Sequence, residues 1–401
     1  MASGKTRLFA VIAVVGSLLG LVFATNSTLD YAAHLDRHLH DVHCSFIPGA
    51  PPTSEAEACR TAMYSPYSSL LREQYWGGVP ISLFALGAFS FFAGFAVYLA
   101  VAGGKAPRAS VVLFALVGTT PLLVSILMFV ISATQLGTFC KTCIGIYLSS
   151  LILAVGALGG LLALRGDPAE ARPRGSLGLS LAWLPALAAV TLIPAVVYAG
   201  VLPDERPYLG SCGQLKVEPS AKDELVKLPA SHPVRPALFF EDPLCPTCKA
   251  FHARLKGEGV LDKLDTQLAL FPLDSECNWM LDSALHPGAC IVARAVICGG
   301  DRSLSVLEWA YDEQEYLTRA GKAGEGVLKA AIQQRWGQNM TQCIDDPKTK
   351  ARLNKQLHFA VENAIPVSTP QVYLGKQRLC DEDTDIGLRY TLKQLAPEVL
   401  K

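Results

Sequence analysis

Two pairs of cysteines are spaced so that they could carry out reversible thiol chemistry. Cys140 and Cys143 are separated by two residues, and so are Cys245 and Cys248. Cysteines at this spacing share one face of the first turn of a helix, where unpaired backbone N–H groups favour the thiolate. Each pair can therefore alternate between dithiol and disulfide. For the first pair, the alternatives are a zinc half-site or two inert thiols, and for the second a purely structural pair.

The second pair follows an apolar run and precedes an amphipathic one. Residues 237–240 are typical of a buried strand, and the residues after Cys248 are typical of a helix. Pro246 suits the first helical turn, where a missing N–H costs nothing. We expect Cys245, at the cap position, to be the exposed attacking thiol and Cys248 to be the buried resolving thiol.

A third pair, Cys44 and Cys59, lies in a segment rich in proline, glycine and alanine. Such a segment can close a loop disulfide easily, which could serve exchange or act as a structural staple. Six cysteines remain, and we expect structural disulfides among them: Cys212, Cys277, Cys290, Cys298, Cys343 and Cys380. The sequence does not fix their connectivity, although Cys277 and Cys290 are close enough in sequence to be a plausible pair.

The cysteines are carried by two halves of different composition. About 10% of residues 1–204 are charged, against about 25% of residues 205–401. The first half contains five uncharged runs of the length that crosses a bilayer as a helix: residues 8–29, 77–104, 109–140, 142–164 and 175–203. The chain has equal numbers of basic and acidic residues, 35 of each. Neither half has the cationic surplus that nucleic-acid binding requires.

Basic residues in the short connections predict the orientation, because they are retained in the cytoplasm. Seven of them share one side of the predicted bundle: Lys5, Arg7, Lys105, Arg108, Arg165, Arg172 and Arg174. The N-terminus is then cytoplasmic, and the loop of residues 30–76, the start of the fourth helix and the tail are extracytoplasmic. All 12 cysteines lie on that side, which implies an oxidising compartment such as a periplasm. A cleaved signal peptide is the alternative for residues 1–25.

The second half resembles a thioredoxin fold, in particular its extracytoplasmic DsbA-type branch. The strand, Cys-x-x-Cys and helix of residues 237–255 carry the resemblance, and residues 367–375 resemble the cis-proline loop of that fold. The resemblance implies a cis Thr369–Pro370 bond, with Pro370 beside Cys245. It also implies that Thr369 and Pro370 hold an extended peptide substrate, and that residues 279–361 form a helical insertion.

The chain as a whole resembles bacterial members of the vitamin K epoxide reductase family that are fused to a thioredoxin-like domain. The signatures are residues 140–147, with a tyrosine one turn beyond the second cysteine, and residues 78–84 at the start of the second helix. The resemblance implies that Cys143 faces a quinone. Tyr147 and Ser82 would then lie at the quinone site. Ile81 stands where vertebrate members have asparagine, which favours plain quinone reduction over epoxide reduction.

The same resemblance implies the order of exchange. Cys140 would form the exchange disulfide with the loop through Cys59, and Cys44 would meet Cys245. The loop cysteines are more widely spaced than is usual in the family, which leaves the choice between Cys44 and Cys59 open.

The expected architecture is therefore an α-helical membrane bundle followed by an α/β domain. Residues 1–175 would form a four-helix transmembrane domain with the outward loop 30–76, and residues 176–204 a fifth, linking helix. Residues 205–401 would form the extracytoplasmic thioredoxin-like domain with its helical insertion. Residues 206–234 would tether this domain and raise its effective concentration at the membrane.

The predicted function is a quinone-dependent thiol oxidase of the inner membrane that forms disulfide bonds. Electrons would pass from secreted or periplasmic cysteine-containing proteins through Cys245 and Cys248, then through the loop pair and the membrane pair, to ubiquinone or menaquinone. Membrane lipid surrounds the bundle. The alternatives are a membrane-anchored reductase or isomerase and an inactive thioredoxin-fold binding or chaperone module. No inward-facing segment contains a cysteine, which disfavours a relay from the cytosol.

A group of histidines in residues 34–43 offers one further possibility. His34 and His38 are four residues apart and could bind a metal on one face of a helix. A short amphipathic helix lying on the membrane surface explains the segment equally well. No third ligand is fixed by that helix, so we expect no metal site.

Overall fold

The charge content of the chain changes near residue 204, and the fold divides at the same place. The computed structural model describes residues 2–36, 44, 56–164 and 177–401. The chain forms two units, Met1–Pro203 and Asp204–Lys401. The first unit is helical and apolar, and the second is an α/β unit with a five-stranded sheet.

Helices make up most of the described part of the first unit. They are α1 (Ala2–Ala33), α2 (Ala56–Tyr64), α3 (Ile81–Ala102), α4 (Arg108–Gly118), α5 (Thr120–Ile131), α6 (Lys141–Leu164), α7 (Leu177–Leu181) and α8 (Trp183–Val201). Among the described residues, five helical segments are long and apolar enough to cross a membrane: Gly4–Ala33, Ile81–Lys105, Arg108–Leu136, Lys141–Leu164 and Trp183–Val201. Each overlaps one uncharged run of the sequence, because in lipid a helix satisfies its own backbone polar groups.

Glycines allow the helices around α1 to approach closely. α1 packs against α3 and α6, α4 and α5 pack against α6, and α8 packs against α3. A Cβ added at Gly16 would lie 2.5 Å from Leu153 N, and one added at Gly156 would lie 2.5 Å from Ala13 N. Small residues at helix contacts are what a bundle in lipid requires, since van der Waals packing replaces the hydrophobic effect there. The resulting contact between α1 and α6 fixes the helix that carries Cys143.

The third apolar run is interrupted twice before it reaches the cysteine pair. Between α4 and α5 the helix breaks near Pro121, which lacks an N–H. After α5, Ser132–Leu136 forms a wider π-helical turn that ends at Gly137, whose φ is 64°. Glycine adopts this left-handed conformation without steric cost, and it redirects the chain to Cys140 at the start of α6.

The connection between α1 and α3 carries short elements of its own. α2 holds Cys59, and β1 (Ser69–Leu70) pairs with β2 (Val79–Pro80) in an antiparallel ladder. The side chain of Ser69 donates a hydrogen bond to the carbonyl of Gly77 at 2.7 Å, and the hydroxyl of Tyr31 donates to the same carbonyl. These bonds attach the connection to the end of α1.

The sheet of the second unit has the order β3-β5-β4-β6-β7. Its strands are β3 (Val226–Lys227), β4 (Arg235–Glu241), β5 (Leu264–Leu270), β6 (Gln371–Leu374) and β7 (Gln377–Arg378). β4 and β5 are parallel, and the other neighbours are antiparallel. β4 pairs on both sides, with Phe239 opposite Leu268 and Val372. Its apolar residues are consequently buried, as the sequence of residues 237–240 predicted.

Eight α-helices belong to this unit, all of whose residues are described. They are α9 (Pro246–Gly257), α10 (Ala289–Cys298), α11 (Ser303–Asp312), α12 (Gln314–Ala323), α13 (Glu325–Trp336), α14 (Gln338–Asp345), α15 (Pro347–Glu362) and α16 (Leu388–Leu395). The helical insertion between β5 and β6 begins at Ala289 rather than near residue 279. Pro287 and Gly288, whose φ is 91°, end an irregular segment that precedes it.

Three disulfides lie within the second unit: Cys212–Cys380, Cys277–Cys290 and Cys298–Cys343. The predicted pairing of Cys277 with Cys290 is confirmed. The prediction that residues 206–234 act as a tether is wrong, because the Cys212–Cys380 disulfide and the pairing of β3 with β5 fix that segment to its own unit.

Candidate functional site

Four cysteines of the first unit lie together where α6 begins. Cys44 and Cys59 form a disulfide, while Cys140 and Cys143 are thiols. The Sγ atoms of Cys59 and Cys140 are 2.8 Å apart, and the sulfurs of Cys44, Cys59 and Cys140 all lie within 4.8 Å of one another. Cys143, one turn into α6, packs against this cluster. A thiol in contact with a disulfide sulfur is placed for exchange.

A buried histidine contacts the end of α2. His34, which is 1% exposed, has its Nε2 3.1 Å from the hydroxyl of Tyr64 at the end of α2. Its Nδ1 lies 2.9 Å from the carbonyl oxygen of Asp30. Since a carbonyl only accepts, Nδ1 carries the hydrogen, and Nε2 accepts from Tyr64. Both ring nitrogens of His34 thus have partners within the fold; His38, the other residue of the suggested metal pair, lies outside the described residues.

A cavity of about 410 Å³ lies beside the cysteine cluster, within the helical bundle. This volume falls in the range of small-molecule sites, roughly 300–1,000 Å³. Five of the predicted site residues line it: Cys59, Cys140, Cys143, Ser82 and Tyr147. Much of the remaining wall is apolar. Such a wall can accommodate a flat, largely apolar ring, and the hydroxyls of Ser82 and Tyr147 can bind the polar atoms of that ring.

Ser82 and Tyr147 occupy different walls of this cavity. The hydroxyl of Ser82 accepts a hydrogen bond from Thr28 of α1 at 2.9 Å, which fixes its position at the start of α3. Tyr147, one turn beyond Cys143 on α6, makes an edge contact with Phe129 of α5, with ring centroids 6.2 Å apart. The structure thus brings both predicted ring-binding residues to the cavity that holds the Cys143 side chain.

The second Cys-x-x-Cys pair begins α9. Cys245 caps the helix with an extended backbone, and Pro246 occupies its first turn, as the sequence predicted. The Thr369–Pro370 bond is cis, which confirms another prediction. The Sγ of Cys245 donates a hydrogen bond to the carbonyl of Thr369 at 3.5 Å. This loop therefore lies directly beside the first thiol of the pair.

The expected exposure of Cys245 is wrong, because the side chain is only 5% exposed. Cys248 is 0% exposed, so the order of burial is still that of an attacking and a resolving thiol. A hydrogen bond from Cys248 lowers the pKa of Cys245 to about 6; burial opposes this shift, and the side-chain hydroxyl of Thr369 assists it. Burial raises the pKa of Cys248 well above its usual value. Near neutral pH, Cys245 is the thiolate of the pair.

Sequence reasoning missed a buried acid beneath this pair. Glu241, the last residue of β4, is fully buried, and its Oε2 accepts a hydrogen bond from the Tyr311 hydroxyl at 2.9 Å. Among the described residues, its Oε1 has no partner. Burial raises the pKa of Glu241 to about 7, although His252 and Tyr311 oppose the shift. The signal in the sequence was a glutamate at the end of a run of buried strand residues, just before the cysteines.

Comparison with known proteins adds a family assignment for most of the first unit. Residues 11–158 match the model of the vitamin K epoxide reductase family. Searches of curated proteins and of solved structures found no match. The matched range contains the four cysteines of the first cluster together with Ser82 and Tyr147. We conclude that the chain is an integral membrane protein whose residues 11–158 form a vitamin K epoxide reductase family domain, a domain of oxidoreductases linked to quinone and disulfide chemistry.

Proposed function

We propose that the protein is a quinone-dependent thiol oxidase that forms disulfide bonds in extracytoplasmic proteins. The observation that carries the proposal is the contact between Cys59 and Cys140. The Cys59 sulfur is bonded to Cys44 and lies 2.8 Å from that of Cys140. Cys143 follows in the wall of the cavity. This arrangement supports a continuous route for electrons from the loop to a bound ring.

The state of the cysteines fits one stage of such a cycle. With Cys140 and Cys143 oxidised, a loop thiolate at Cys59 attacks Cys140 and releases Cys143. Cys44 then attacks Cys59, which leaves a loop disulfide and a reduced membrane pair. A loop disulfide beside two thiols is the combination present in the fold. Formation of the Cys140–Cys143 disulfide then releases two electrons and two protons, which a quinone accepts as it becomes the quinol.

The second unit would supply the loop with electrons. A substrate dithiol reduces the Cys245–Cys248 disulfide, and the Cys245 thiolate then attacks Cys44 of the loop disulfide. Release of Cys59 and attack by Cys248 restore the second disulfide. The depressed pKa of Cys245 supports its role as the attacking thiol. Thr369 and Pro370, beside Cys245, are positioned to hold an extended substrate segment, as in a thioredoxin-like domain.

The remaining parts of the proposal concern location and substrates. We place the N-terminus in the cytoplasm and the second unit outside the plasma membrane, where secreted or periplasmic proteins with cysteines are the substrates. Lys105 and Arg108, which flank the turn between α3 and α4, support this orientation by the retention of basic loops in the cytoplasm. Ser82 and Tyr147 would bind the carbonyl oxygens of ubiquinone or menaquinone.

Quinone reduction by the purified full-length protein in detergent tests the proposal. A reduced dithiol peptide serves as donor, and the wild type is compared with Cys143→Ser and Cys245→Ser. We expect Cys143→Ser to abolish quinone reduction with every donor. Cys245→Ser should abolish it with the peptide but leave activity with a small thiol that reaches the loop directly.

Two alternatives predict different results in this assay. An anchored isomerase or reductase exchanges peptide thiols at Cys245 while quinone stays oxidised. An inactive binding module does neither, and its Cys245–Cys248 pair has the strongly reducing potential of a structural disulfide. Peptide-driven quinone reduction that survives Cys143→Ser would also contradict the proposed route.

A further inference from the structure

His286, outside both Cys-x-x-Cys motifs, is held next to the second one by a buried carboxylate. Its Nδ1 donates a hydrogen bond to Oδ2 of Asp242 at 2.7 Å. Asp242 is 0% exposed, whereas the His286 side chain is 20% exposed. One end of the imidazole is therefore fixed in the protein interior, while part of the ring remains accessible to solvent.

Asp242 belongs to the turn that leads from β4 into the cysteine pair. Its carbonyl oxygen accepts a hydrogen bond from the Cys245 N–H at 3.0 Å. Its Oδ1 accepts from the Leu244 N–H at 2.7 Å, and its Oδ2 accepts from the Leu273 N–H at 2.8 Å in addition to His286. A carboxylate so placed is satisfied by hydrogen bonds, but its charge disfavours a second anion at Cys245.

The segment that carries His286 is fixed independently of the cysteine pair. The His286 N–H donates to the Leu273 carbonyl at 3.0 Å, and the Cys277–Cys290 disulfide closes the segment. Oδ2 of Asp274 accepts from the Gly288 N–H at 2.9 Å. The imidazole is thus presented to Asp242 by a braced backbone, so its position does not depend on a flexible loop.

The charged groups that face His286 all favour its protonated form. They come from three segments: Asp242 after β4, Cys245 at the start of α9, and Asp274 on the same segment as the histidine. Burial lowers the pKa of His286, but the hydrogen bond and charge of Asp242, with smaller contributions from Cys245 and Asp274, raise it above its usual value. Asp242 raises the pKa of Cys245 in turn. Because the interaction of two charges is mutual, an imidazolium at residue 286 stabilises a thiolate at Cys245.

We propose that His286 is a positioning residue for thiol exchange, whose imidazolium, anchored on Asp242, offsets that buried carboxylate and keeps Cys245 in the thiolate form. The inference rests on the proposed role of Cys245 as the attacking thiol. His286 supplies a positive charge that the Cys-Pro-Thr-Cys motif itself does not contain. Above the pKa of His286 the imidazole is neutral. The negative charge of Asp242 then destabilises the Cys245 thiolate, with no positive charge at residue 286 to offset it.

The test is the pH dependence of Cys245 alkylation in the reduced full-length protein, followed by mass spectrometry of the Cys245 peptide. His286→Gln keeps a hydrogen-bond donor for Asp242 but removes the charge. We expect it to move the alkylation midpoint upward by about one pH unit, a tenfold loss of thiolate below the midpoint. His286→Lys restores a positive charge and should return the midpoint close to the wild-type value.

His358→Gln is the matched control, because His358 is an exposed histidine of α15 that packs on Trp279. It should leave the midpoint unchanged. An unchanged midpoint in His286→Gln, or a shift that His286→Lys fails to reverse, overturns the inference.

A second measurement needs no substitution and so does not depend on variants that fold. Hydrogen–deuterium exchange at the C2 position of His286 reports its titration in the wild type. The midpoint should be higher in the reduced protein, where Cys245 is an anion, than in the oxidised protein, and equal midpoints contradict the inference. Neither readout involves quinone. If His286 controls Cys245 but quinone is not reduced, the oxidase proposal fails while this inference stands.

Discussion

The hydrogen bond between Tyr64 and His34 should determine how firmly α2 holds Cys59 against Cys140. Tyr64→Phe removes the hydroxyl that lies 3.1 Å from Nε2 of His34. His34 is 1% exposed, so the change removes a hydrogen bond that is shielded from water. Such a loss costs about 1–3 kcal/mol. The cost falls on the docked state, because the imidazole can bind water when α2 is released.

The expected effect can be measured as access to Cys59, which is 3% exposed in the docked arrangement. In a Cys44→Ser background under reducing conditions, the alkylation rate of Cys59 is proportional to the released fraction of α2. A cost of about 1–3 kcal/mol therefore raises the rate about 5- to 150-fold. The assay is timed alkylation of the full-length protein in detergent, with mass spectrometry of the peptide that contains Cys59.

Tyr67→Phe is the matched control, since Tyr67 lies three residues further along the same connection and is 38% exposed. It should leave the alkylation rate of Cys59 within about twofold of the parent, as expected for a surface change. A rate in Tyr64→Phe that equals the rate in Tyr67→Phe would refute the reasoning, because α2 would then be held by other contacts.

Three further predictions concern the two thiol sites. Alkylation of Cys245 should show a midpoint near pH 6, because the hydrogen bond from Cys248 lowers the pKa of Cys245 to about 6. A midpoint near pH 8.5, about the usual pKa of cysteine, would contradict this prediction. Glu241→Gln should stabilise the second unit by up to about 3 kcal/mol at pH 8 and hardly at all at pH 4. The reason is that burial raises the folded-state pKa of Glu241 to about 7. The energetic penalty of burying the charged carboxylate therefore develops as the pH rises from the unfolded-state pKa to the folded-state pKa. Thermal melting of the full-length protein at both pH values measures this stabilisation, and a difference that does not depend on pH contradicts the prediction. Tyr147→Phe and Ser82→Ala should each raise the KM for quinone about 5- to 30-fold, as expected for loss of one hydrogen bond of about 1–2 kcal/mol. Peptide thiol exchange at Cys245 should not change, and a fall in that exchange would point to misfolding instead.

Local features of the sequence were enough to predict the principal elements. Uncharged runs predicted the apolar helices, because the requirement for backbone hydrogen bonds in lipid leaves little choice of structure. The strand before Cys245 and the helix after it also follow from short patterns, whereas the cis bond at Thr369–Pro370 was implied by the resemblance to a thioredoxin fold. For the helices and the strand, the residues that determine the conformation are neighbours in sequence.

The electrostatic partners of the thiols could not be predicted in this way. His286 and Asp242 are 44 residues apart, and Tyr311 and Glu241 are 70 apart. Their contacts depend on how an irregular segment and α11 pack against the end of β4, which no local pattern specifies. The burial of Cys245 was missed for the same reason, since the loop that covers it lies 124 residues away.

The docking of α2 shows the same limit in the first unit. The spacing of His34 suggested a metal ligand or a surface helix, whereas its ring binds Tyr64, 30 residues further along the chain. A buried histidine with partners at both nitrogens serves as a structural contact. The cysteine pattern alone could not reveal it, although this contact joins α2, which carries Cys59, to the residues that follow α1.

The central claim is that substrate thiols are oxidised at the expense of quinone through one chain of disulfides. The most direct test is the stoichiometry of the reaction with oxygen excluded, in which quinol formed and disulfide formed in a dithiol peptide are measured in the same sample. We predict one quinol for each peptide disulfide, with both products lost in Cys143→Ser. Peptide disulfides that form without an equivalent of quinol would contradict the claim.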